Sequence, residues 1–544
     1  MNRMIRVSAL AVALSSGWIL PSSASAATDP EVLRELAAMR AQMDQMSQRI
    51  GTLEGELATA RGEVAQARAA VAAIPAPAKP VAPAPGIAAP AGSTLAWEGA
   101  PRISTPVDAK NPAAGTWSFK PRGRLHFDAG TISSPGAFVS SNLGFNSRLR
   151  RLRLGFEGTV PGGFGYKAEV DLASGGVAFG DVLVSYTPGN APVQLRVGNF
   201  ESLNSLEQIS SSNFGTFIER AAFNDAFVNA RRIGAALSYR SKNNEWRAEA
   251  GLFAAHSIDS SFDNNGWIGA ARLVYAPEFA GGRLHLGVNY QHRDFASNVA
   301  GATSTGVGTP STNQLARYRA RPNSQLTDVR FIDTGSFAAK SDNILGFEIG
   351  AIFKKLYFAG EAQWLNAKGY SAGNLAVGQD QFSGGNIAVV PAANPGFFGA
   401  YGEVGYFITG ETRGYKLGDG TWARTKVLNP VGKGGMGAFQ VAARLDYIDL
   451  NSDKLTGGLT NNFTTGVSSL AALNSRLARG GTQTSYILGL NWYPVDYVRF
   501  MVNYGHVSVT GGPVAALVNP TSTLPINQQK YGIDMFQTRL QFDF

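Results

Sequence analysis

The chain has 544 residues, no cysteine, 64 glycines, 16% charged residues and a formal net charge of +9. The absence of cysteine excludes a disulfide framework and a thiolate metal site, and the charged fraction is well below the roughly 25% usual in soluble proteins. A net charge of +9 spread over so long a chain, without an aromatic-basic stacking module, does not indicate a nucleic-acid partner.

Residues 1–26 have the pattern of a secretory signal peptide. Arg3 and Arg6 form a basic start, an apolar run follows, and Ala26 ends a small-residue cleavage site. A membrane anchor is the alternative, but the apolar run is short. After Ala27 no stretch reaches the roughly 20 apolar residues of a transmembrane helix, so a membrane crossing has to use strands.

Residues 29–75 are predicted to form an α-helical coiled coil. Apolar side chains such as Val32, Leu36 and Met39 recur at alternating spacings of four and three residues, which is the pattern of a heptad seam. Because such a seam buries nothing in a monomer, it predicts self-association; an isolated amphipathic helix is the alternative. Residues 76–116 follow as a Pro/Ala-rich linker of semi-rigid polyproline-II character.

Residues 117–544 are predicted to form an all-β membrane domain, an antiparallel transmembrane β-barrel of about sixteen strands. Leu152, Leu154 and Phe156 alternate with charged residues, which places one set toward lipid and the other toward a wet lumen. Short turns alternate with long polar loops, as they do at the two rims of a bacterial barrel. The predicted strands are 118–128, 150–160, 165–173, 181–187, 192–199, 231–240, 245–254, 267–276, 283–293, 344–354, 356–366, 398–409, 437–449, 484–493, 497–507 and 534–544.

One connection does not fit this alternation. Residues 410–436 occupy the place of a short turn but are much longer than one. Either a strand pair is hidden in this segment or one rim of the barrel carries an extra flap. The sequence is compatible with both interpretations.

Sequence patterns of enzymes are absent. The five histidines do not have the spacing of metal ligands, and no nucleophile elbow or phosphate loop occurs. We therefore expect no catalysis, no cofactor and no metal, with an active site built from loops as the alternative.

The barrel region resembles the phosphate-selective porin O/P family. The resemblance implies a sixteen-stranded homotrimeric outer-membrane channel with an anion preference, a constriction built by an inward-folded third loop, and a ladder of Arg and Lys along the pore. Here the third loop is 200–230. The matching stretches are GRLHFDAG (123–130), RRLRLGFEGTVPGGFGYKAEVDLA (150–173), DVLVSYTPGNAPVQLRVGNF (181–200), TFIERAAF (216–223), GAFQVAARLDYIDL (437–450) and the closing RLQFDF.

The resemblance also suggests which residues line the pore. The candidates for pore lining and anion binding are Arg124, Arg151, Arg153, Lys167, Arg196, Arg220, Arg231, Arg232, Arg247 and Arg272. Acids share the lumen face, so each arginine can instead pair with a neighbouring carboxylate, which puts strict phosphate specificity in question. These acids are Glu157, Glu169, Asp171, Asp181, Glu245, Glu249, Glu348 and Glu361.

The sequence thus predicts a channel for passive diffusion of small anions, phosphate or polyphosphate, in a Gram-negative outer membrane with its helix in the periplasm. Expected partners are two further copies in a homotrimer, outer-membrane lipid, small inorganic anions, peptidoglycan through the coiled coil, and the barrel-assembly machinery through the terminal Phe544. The alternatives are a porin without phosphate specificity, and a barrel anchor whose coiled coil tethers the outer membrane to the cell wall. A sugar-selective porin needs aromatic residues along the lumen, where Arg and Glu occur instead.

Overall fold

The computed structural model describes residues 94–97, 100–106, 115–136, 139–173, 175–228, 230–255, 258, 266–295, 315–370, 380–383, 386–455 and 480–544. The chain divides into two units, Met1–Ala88 and Ala89–Phe544, and all the described residues belong to the second. The predicted signal peptide and coiled coil, and most of the predicted linker, lie outside the described residues.

Sixteen antiparallel strands form a closed barrel, because the last strand pairs with the first from Met535 opposite Ile132 to Asp543 opposite Arg124. The predicted barrel of sixteen strands is therefore confirmed. The strands are β1 Ser118–Ile132, β2 Gly144–Val160, β3 Phe164–Asp171, β4 Ala178–Tyr186, β5 Val193–Glu201, β6 Arg231–Arg240, β7 Trp246–Ala254, β8 Trp267–Tyr275, β9 Gly282–Asp294, β10 Ser336–Phe353, β11 Leu356–Gly369, β12 Gly396–Phe407, β13 Ala438–Asp449, β14 Thr482–Val495, β15 Val498–Thr510 and β16 Lys530–Asp543.

The barrel is apolar outside and polar inside. Along β16, Phe536, Leu540 and Phe542 are exposed on the outer surface, whereas Arg539 and Gln541 between them are buried in the lumen. Successive strand side chains point to opposite faces, so this alternation separates a surface suited to lipid from one suited to water and ions.

Aromatic side chains are stacked on the outer face near the strand ends. The rings of Trp246 and Tyr275 lie 4.2 Å apart at one rim, and those of Trp364 and Phe398 lie 4.9 Å apart toward the other. This is the arrangement of the aromatic girdles that flank the apolar band of a membrane barrel. Tyr493, near the end of β14, is instead buried in the lumen, where its hydroxyl bonds to Gln440.

Two long loops and one segment from the opposite rim fold into the barrel. Loop L3 (202–230) contains the short helices α1 Leu206–Ile209 and α2 Ala222–Ala226. The described part of loop L5 (315–335) contacts it through Arg321 and Asp225. The third insertion, which we call the flap, covers 408–437 and connects β12 to β13. The flap contains a two-residue strand pair, Tyr415–Lys416 with Thr421–Trp422, so both readings of the irregular segment 410–436 are partly correct.

A β-bulge interrupts the pairing of β1 with β2. His126 pairs with Arg151, but Phe127 pairs with Leu149, so Arg150 is the extra residue. A bulge of this kind changes where side chains point. Both Arg150 and Arg151 consequently make contacts inside the barrel.

The two faces of β5 allow a direct test of the inside-outside assignment. Val197→Arg places a charge on the exposed outer face, and we expect it to lower the free energy of unfolding by about 2–4 kcal/mol, the cost of Arg near the bilayer midplane. Gln194→Arg is the matched control, since Gln194 lines a water-accessible cavity inside the barrel. Denaturant titration in lipid vesicles measures both variants. Equal losses of stability for the two would contradict the assignment.

Candidate functional site

The centre of the lumen is occupied by L3, whose backbone carbonyls are hydrogen-bonded by arginines. Arg499 donates to the carbonyl oxygens of Gly215 at 2.6 Å and Thr216 at 2.9 Å. Without such donors, carbonyl groups inside the barrel would lose the hydrogen bonds they make to water. Further arginines donate to other L3 carbonyls: Arg293 to Phe227, Arg413 to Phe214, Arg444 to Glu219 and Arg539 to Ile218.

Carboxylates of the barrel wall accept hydrogen bonds from L3 amides. Glu361 accepts from the backbone N–H groups of Leu206 and Glu207, both at 2.8 Å, at the start of α1. Asp446 accepts from the N–H of Ala222, also at 2.8 Å, at the start of α2. The barrel wall therefore makes hydrogen bonds to both the N–H groups and the carbonyl groups of the L3 backbone.

Glycines in the wall make room for the inserted aromatic rings. A Cβ atom on Gly399 would lie 2.6 Å from the Cβ of Phe223 in L3, and one on Gly350 would lie 3.1 Å from the ring of Trp422 in the flap. Both distances are closer than ordinary van der Waals contact. Small residues at these positions allow the loops to pack tightly against the wall.

The flap fills the lumen from the rim opposite L3 and contacts that loop. The backbone N–H of Trp422 donates to Ser210 Oγ at 3.0 Å, and the guanidinium of Arg413 lies 4.8 Å from the Tyr357 ring centre and 4.8 Å from that of Trp422. The Tyr415 hydroxyl lies 2.6 Å from Nδ1 of His285 on the wall. L3 is thus supported by a second inserted segment as well as by the strands.

The open part of the lumen runs beside β2–β6. On one side of L3, a cavity of about 180 Å³ is lined by Arg150, Arg220 and Arg321 together with Glu219 and Asp225. Toward the short-turn rim, a second cavity of about 360 Å³ has five cationic side chains and one carboxylate, Glu157, in its lining. The five are Arg102, Lys120, Lys167, Arg196 and Lys416.

Seven of the ten predicted site residues form an ion pair with a carboxylate. Arg153, for example, lies 2.7 Å from Asp171 and 2.9 Å from Glu169. Such pairs reduce the net charge that an entering ion meets. The other pairs are Arg124 with Glu169, Lys167 with Asp181, Arg196 with Glu249, Arg231 with Asp181 and Glu201, Arg247 with Glu249, and Arg272 with Glu348.

The remaining three predicted residues, Arg151, Arg220 and Arg232, form no ion pair with a carboxylate among the described residues. Arg151 is buried, its only hydrogen bond there is to Nδ1 of His126 at 3.4 Å, and its Nε has no partner. Arg232 donates to the carbonyl of Arg231 at 2.7 Å. In none of the three does a carboxylate of the described residues contact the guanidinium directly.

Arg220 lies in L3 and donates to carbonyl oxygens of the same loop. Its Nε bonds to Glu207 at 2.9 Å, and its Nη2 bonds to Gln208 at 3.1 Å and Ser210 at 3.2 Å. Nη1 makes no hydrogen bond to any described residue. Arg220 therefore holds L3 in shape while one edge of its guanidinium remains available beside the 180 Å³ cavity.

Next to Arg220, Glu219 is held in its ionised form. Burial favours the neutral acid, but the guanidinium groups of Arg150 and Arg539 outweigh this and keep the pKa of Glu219 well below its usual range. Nε of Arg150 lies 2.8 Å from the Glu219 carboxylate and Nη2 of Arg539 lies 2.9 Å from it. Glu219 is thus a fixed negative charge in contact with two arginines.

Arg150, Arg413 and Arg499 also contribute to the site, but sequence reasoning missed them. The signal for Arg150 was the pair Arg150-Arg151, which breaks the apolar-polar alternation. Arg413 lies in the irregular segment 410–436, and Arg499 lies on the lumen face of β15. Like Arg151, both Arg413 and Arg499 are buried and form no ion pair with a carboxylate in the described part of the chain.

Phe544, the predicted assembly residue, completes the barrel seam. Its N–H donates to the carbonyl of Gly123 at 3.0 Å, and the N–H of Gly123 donates back to Phe544 at 3.2 Å. Its role in assembly stays a prediction.

The described residues contain neither a metal-binding cluster nor a membrane-spanning helix. No group of three or more His, Cys, Asp or Glu side chains there is arranged to hold a metal ion. No helix among them is long and apolar enough to cross a membrane.

The closed barrel, with an apolar outer face and charged loops folded into a polar lumen, defines an outer-membrane channel of the porin class. Residues 119–544 match the family model described as phosphate-selective porin O and P, and the chain belongs to this family. It is 27% identical over 450 residues to Porin O of Pseudomonas aeruginosa, covering 79% of this chain and 89% of that protein.

Two other comparisons extend the list of similar proteins. An uncharacterized protein of Caulobacter vibrioides is 30% identical over 542 residues, which covers 98% of this chain and 93% of that protein. Among solved structures, the anion-selective porin from Comamonas acidovorans matches with a TM-score of 0.41 at 11% identity, covering 79% of this chain and 100% of that chain.

The tethering of L3 predicts a change in channel noise. Arg499→Met removes two hydrogen bonds from a charged donor, each worth about 1.5–3 kcal/mol, so we expect L3 to fluctuate and the single-channel current to become noisier and to close at lower voltage. Arg283→Met is the control, because Arg283 bonds to the rim residues Ala276 and Glu278. Bilayer recordings that show the same noise in both variants would disprove the tether.

Proposed function

We propose that this outer-membrane channel passes small anions by passive diffusion and that phosphate binds transiently inside its lumen. The observation that carries the proposal is the set of guanidinium groups around L3 without a carboxylate partner among the described residues. These are Arg151, Arg220, Arg232, Arg413 and Arg499.

The energetic argument concerns the narrow part of the pore. An anion entering it gives up part of its hydration, and fixed cations reduce that cost. Backbone carbonyls bonded to Arg220, Arg413 and Arg499 are dipoles, so they leave the net positive charge of each guanidinium in place. In a confined, poorly screened passage this charge acts over a longer range than it would at an open surface.

The cavities on either side of L3 suggest a route. An anion would meet Arg150 and Arg220 first, then pass Arg153 and Arg231 on the wall, and leave through the larger cationic cavity of about 360 Å³. Guanidinium groups stay charged at all relevant pH values and can hold a phosphate by two hydrogen bonds. At Arg153 and Arg231 the paired carboxylates compete with the anion, which favours release over tight binding.

A second candidate is a porin for many small solutes with no phosphate specificity. The observation in its favour is that seven of the ten predicted site residues are already paired with acids, among them Arg196 with Glu249 and Lys167 with Asp181. Rows of paired acids and bases create a local field across the pore without giving a strong preference for anions.

The same proposal includes the assembly. We infer a homotrimer in outer-membrane lipid, with the predicted coiled coil in the periplasm and Phe544 read by the barrel-assembly machinery. The heptad seam of residues 29–75 supports self-association. The same proposal includes attachment to peptidoglycan through that helix. Deletion of residues 29–90 should then abolish envelope adhesion and leave the channel conductance unchanged.

Planar bilayers with the purified channel and a KCl gradient test the selectivity. We expect a reversal potential whose sign shows that chloride permeates better than potassium. We also expect a low concentration of phosphate to block the chloride current. Arg220→Ala should raise the half-blocking phosphate concentration by about 10–100-fold, as expected for a charge-assisted contact of about 1.5–3 kcal/mol. Arg220→Lys keeps the charge but loses the planar fork, so it should retain anion selectivity and lose much of the block.

Arg317→Ala is the control, because Arg317 in L5 is paired with Asp333 and should leave the block unchanged. A reversal potential near zero or of cation sign would sink the anion proposal. Anion selectivity without any phosphate block would leave the unspecific porin as the function.

A further inference from the structure

A groove of about 900 Å³ crosses strands β10–β14 on the outer surface of the barrel. Gly402 lies at its centre, and because the neighbouring Tyr401 and Glu403 are buried in the lumen, Gly402 faces outward. Gly402 pairs with Gly360 on β11, so two adjacent glycines form the floor. A Cβ atom on Gly402 would meet no atom within 4 Å, which shows that the space outside this residue is open.

Large apolar side chains form the two sides of the groove. Ile349 of β10, opposite Gly360, is 58% exposed on one side, and Leu488 of β14 is 60% exposed on the other. Leu445 of β13 pairs with Gly402 and also stands above the floor. The outward-facing side chains that line the groove are apolar, except for the hydroxyl group of Tyr486.

Such a groove cannot stay empty in a membrane without a cost. Wall atoms that face a void lose their dispersion contacts, and a well-packed surface avoids this loss. Water is a poor filling, because an ordered water molecule needs polar partners and this lining offers almost none. A flexible hydrocarbon chain is the occupant that fits both the shape and the chemistry of the groove.

The groove lies near the middle of the apolar band. On β12, Gly402 is four residues from Phe398, which stacks with Trp364 toward the long-loop rim, and four residues from the exposed Tyr406 toward the short-turn rim. At about 3.3 Å per residue, each of these aromatic residues is about 13 Å away along the strand. The groove is therefore at the depth that the ends of acyl chains reach.

Two exposed lysines mark one end of the path to the groove. Lys354 and Lys355 form the short turn between β10 and β11, and neither forms an ion pair with a carboxylate in the described part of the chain. Gly360 is five residues from Lys355, about 16 Å along the strand, and half of a bilayer's hydrocarbon core is about 15 Å deep. The exposed Lys368 toward the other rim is eight residues from Gly360, about 26 Å along the strand. An acyl chain with its headgroup at the short-turn rim has the shorter path.

We propose that the groove binds an acyl chain of an anionic phospholipid from the periplasmic leaflet, whose phosphate group contacts Lys354 and Lys355. Short turns of outer-membrane barrels lie at the periplasmic rim, which places this headgroup in that leaflet. The apolar sides hold the chain, and the two ammonium groups attract the phosphate. One lipid then stays at a fixed place on the wall, unlike the lipids that cover the smoother parts of the barrel.

Native mass spectrometry of the full-length channel in detergent, titrated with phosphatidylglycerol or phosphatidylcholine, tests the groove. Gly402→Leu should lower the amount of phosphatidylglycerol bound per chain several-fold, because the new side chain occupies the place of the acyl chain. The fold should accept this change, since the added Cβ atom meets no neighbour. Ala271→Leu is the matched control: Ala271 is exposed on the outer face of β8, outside the groove, and the variant should bind like the parent protein.

A second variant tests the headgroup contact separately. Lys354→Gln/Lys355→Gln changes only an exposed turn, so it should fold normally. We expect its preference for phosphatidylglycerol over phosphatidylcholine to fall by about 5–30-fold, the factor expected from one or two lysines beside an anionic headgroup.

Three results would overturn the proposal. The first is unchanged phosphatidylglycerol binding in Gly402→Leu or an equal loss in Ala271→Leu. The second is a parent protein that binds both lipids equally well. The third is dissociation of the native oligomer in Gly402→Leu, since a second copy of the chain, and no lipid, would then occupy the groove.

Discussion

The arrangement of side chains inside this barrel depends on giving hydrogen-bond partners to the peptide groups of L3. An irregular loop brought into a lumen carries N–H and C=O groups that water no longer reaches freely, and each unpaired group costs free energy. The barrel wall provides charged side chains, which are the strongest hydrogen-bond donors and acceptors that side chains offer. Arginines such as Arg499 and Arg539 bond to the carbonyls, and Glu361 and Asp446 accept from the amides.

Because of this constraint, the charged side chains in the lumen have two roles. A guanidinium paired with a carboxylate adds little net charge to the lumen even where it also donates to a carbonyl, as Arg272 does with Glu348 and with Gly420 of the flap. A guanidinium that donates to an L3 carbonyl and has no carboxylate partner in the described part of the chain, such as Arg499, positions L3 and still keeps its charge, because a dipole cannot neutralise an ion. The loop that narrows the pore is therefore held in place by the same kind of group that makes the passage positive.

The alternation of apolar and polar residues was sufficient to predict the barrel, because in a membrane protein both faces of every strand are constrained by their solvent. The strand ends were less predictable: β10 begins at Ser336, eight residues before the predicted 344, because Phe337 and Ala338 pair with residues of L5. The groups that the lumen arginines contact could not be predicted from the sequence. Arg499 and Gly215 are separated by 284 positions, and only the closed fold brings them together.

The insertions also explain why the open path lies to one side. L3, L5 and the flap pack against β9–β16, where wall residues such as Gln363 and Asn491 are buried and Gly350 and Gly399 admit aromatic rings. Several lumen side chains of β2–β6, such as Lys167, Arg196 and Arg231, stay only partly buried. On the proposed route, ions pass along the wall that carries Arg153 and Arg231, facing the arginines that donate to L3 carbonyls. Under the proposed function, the selectivity of the channel depends on how far the positive charge of arginines without a carboxylate partner among the described residues exceeds the negative charge on that wall.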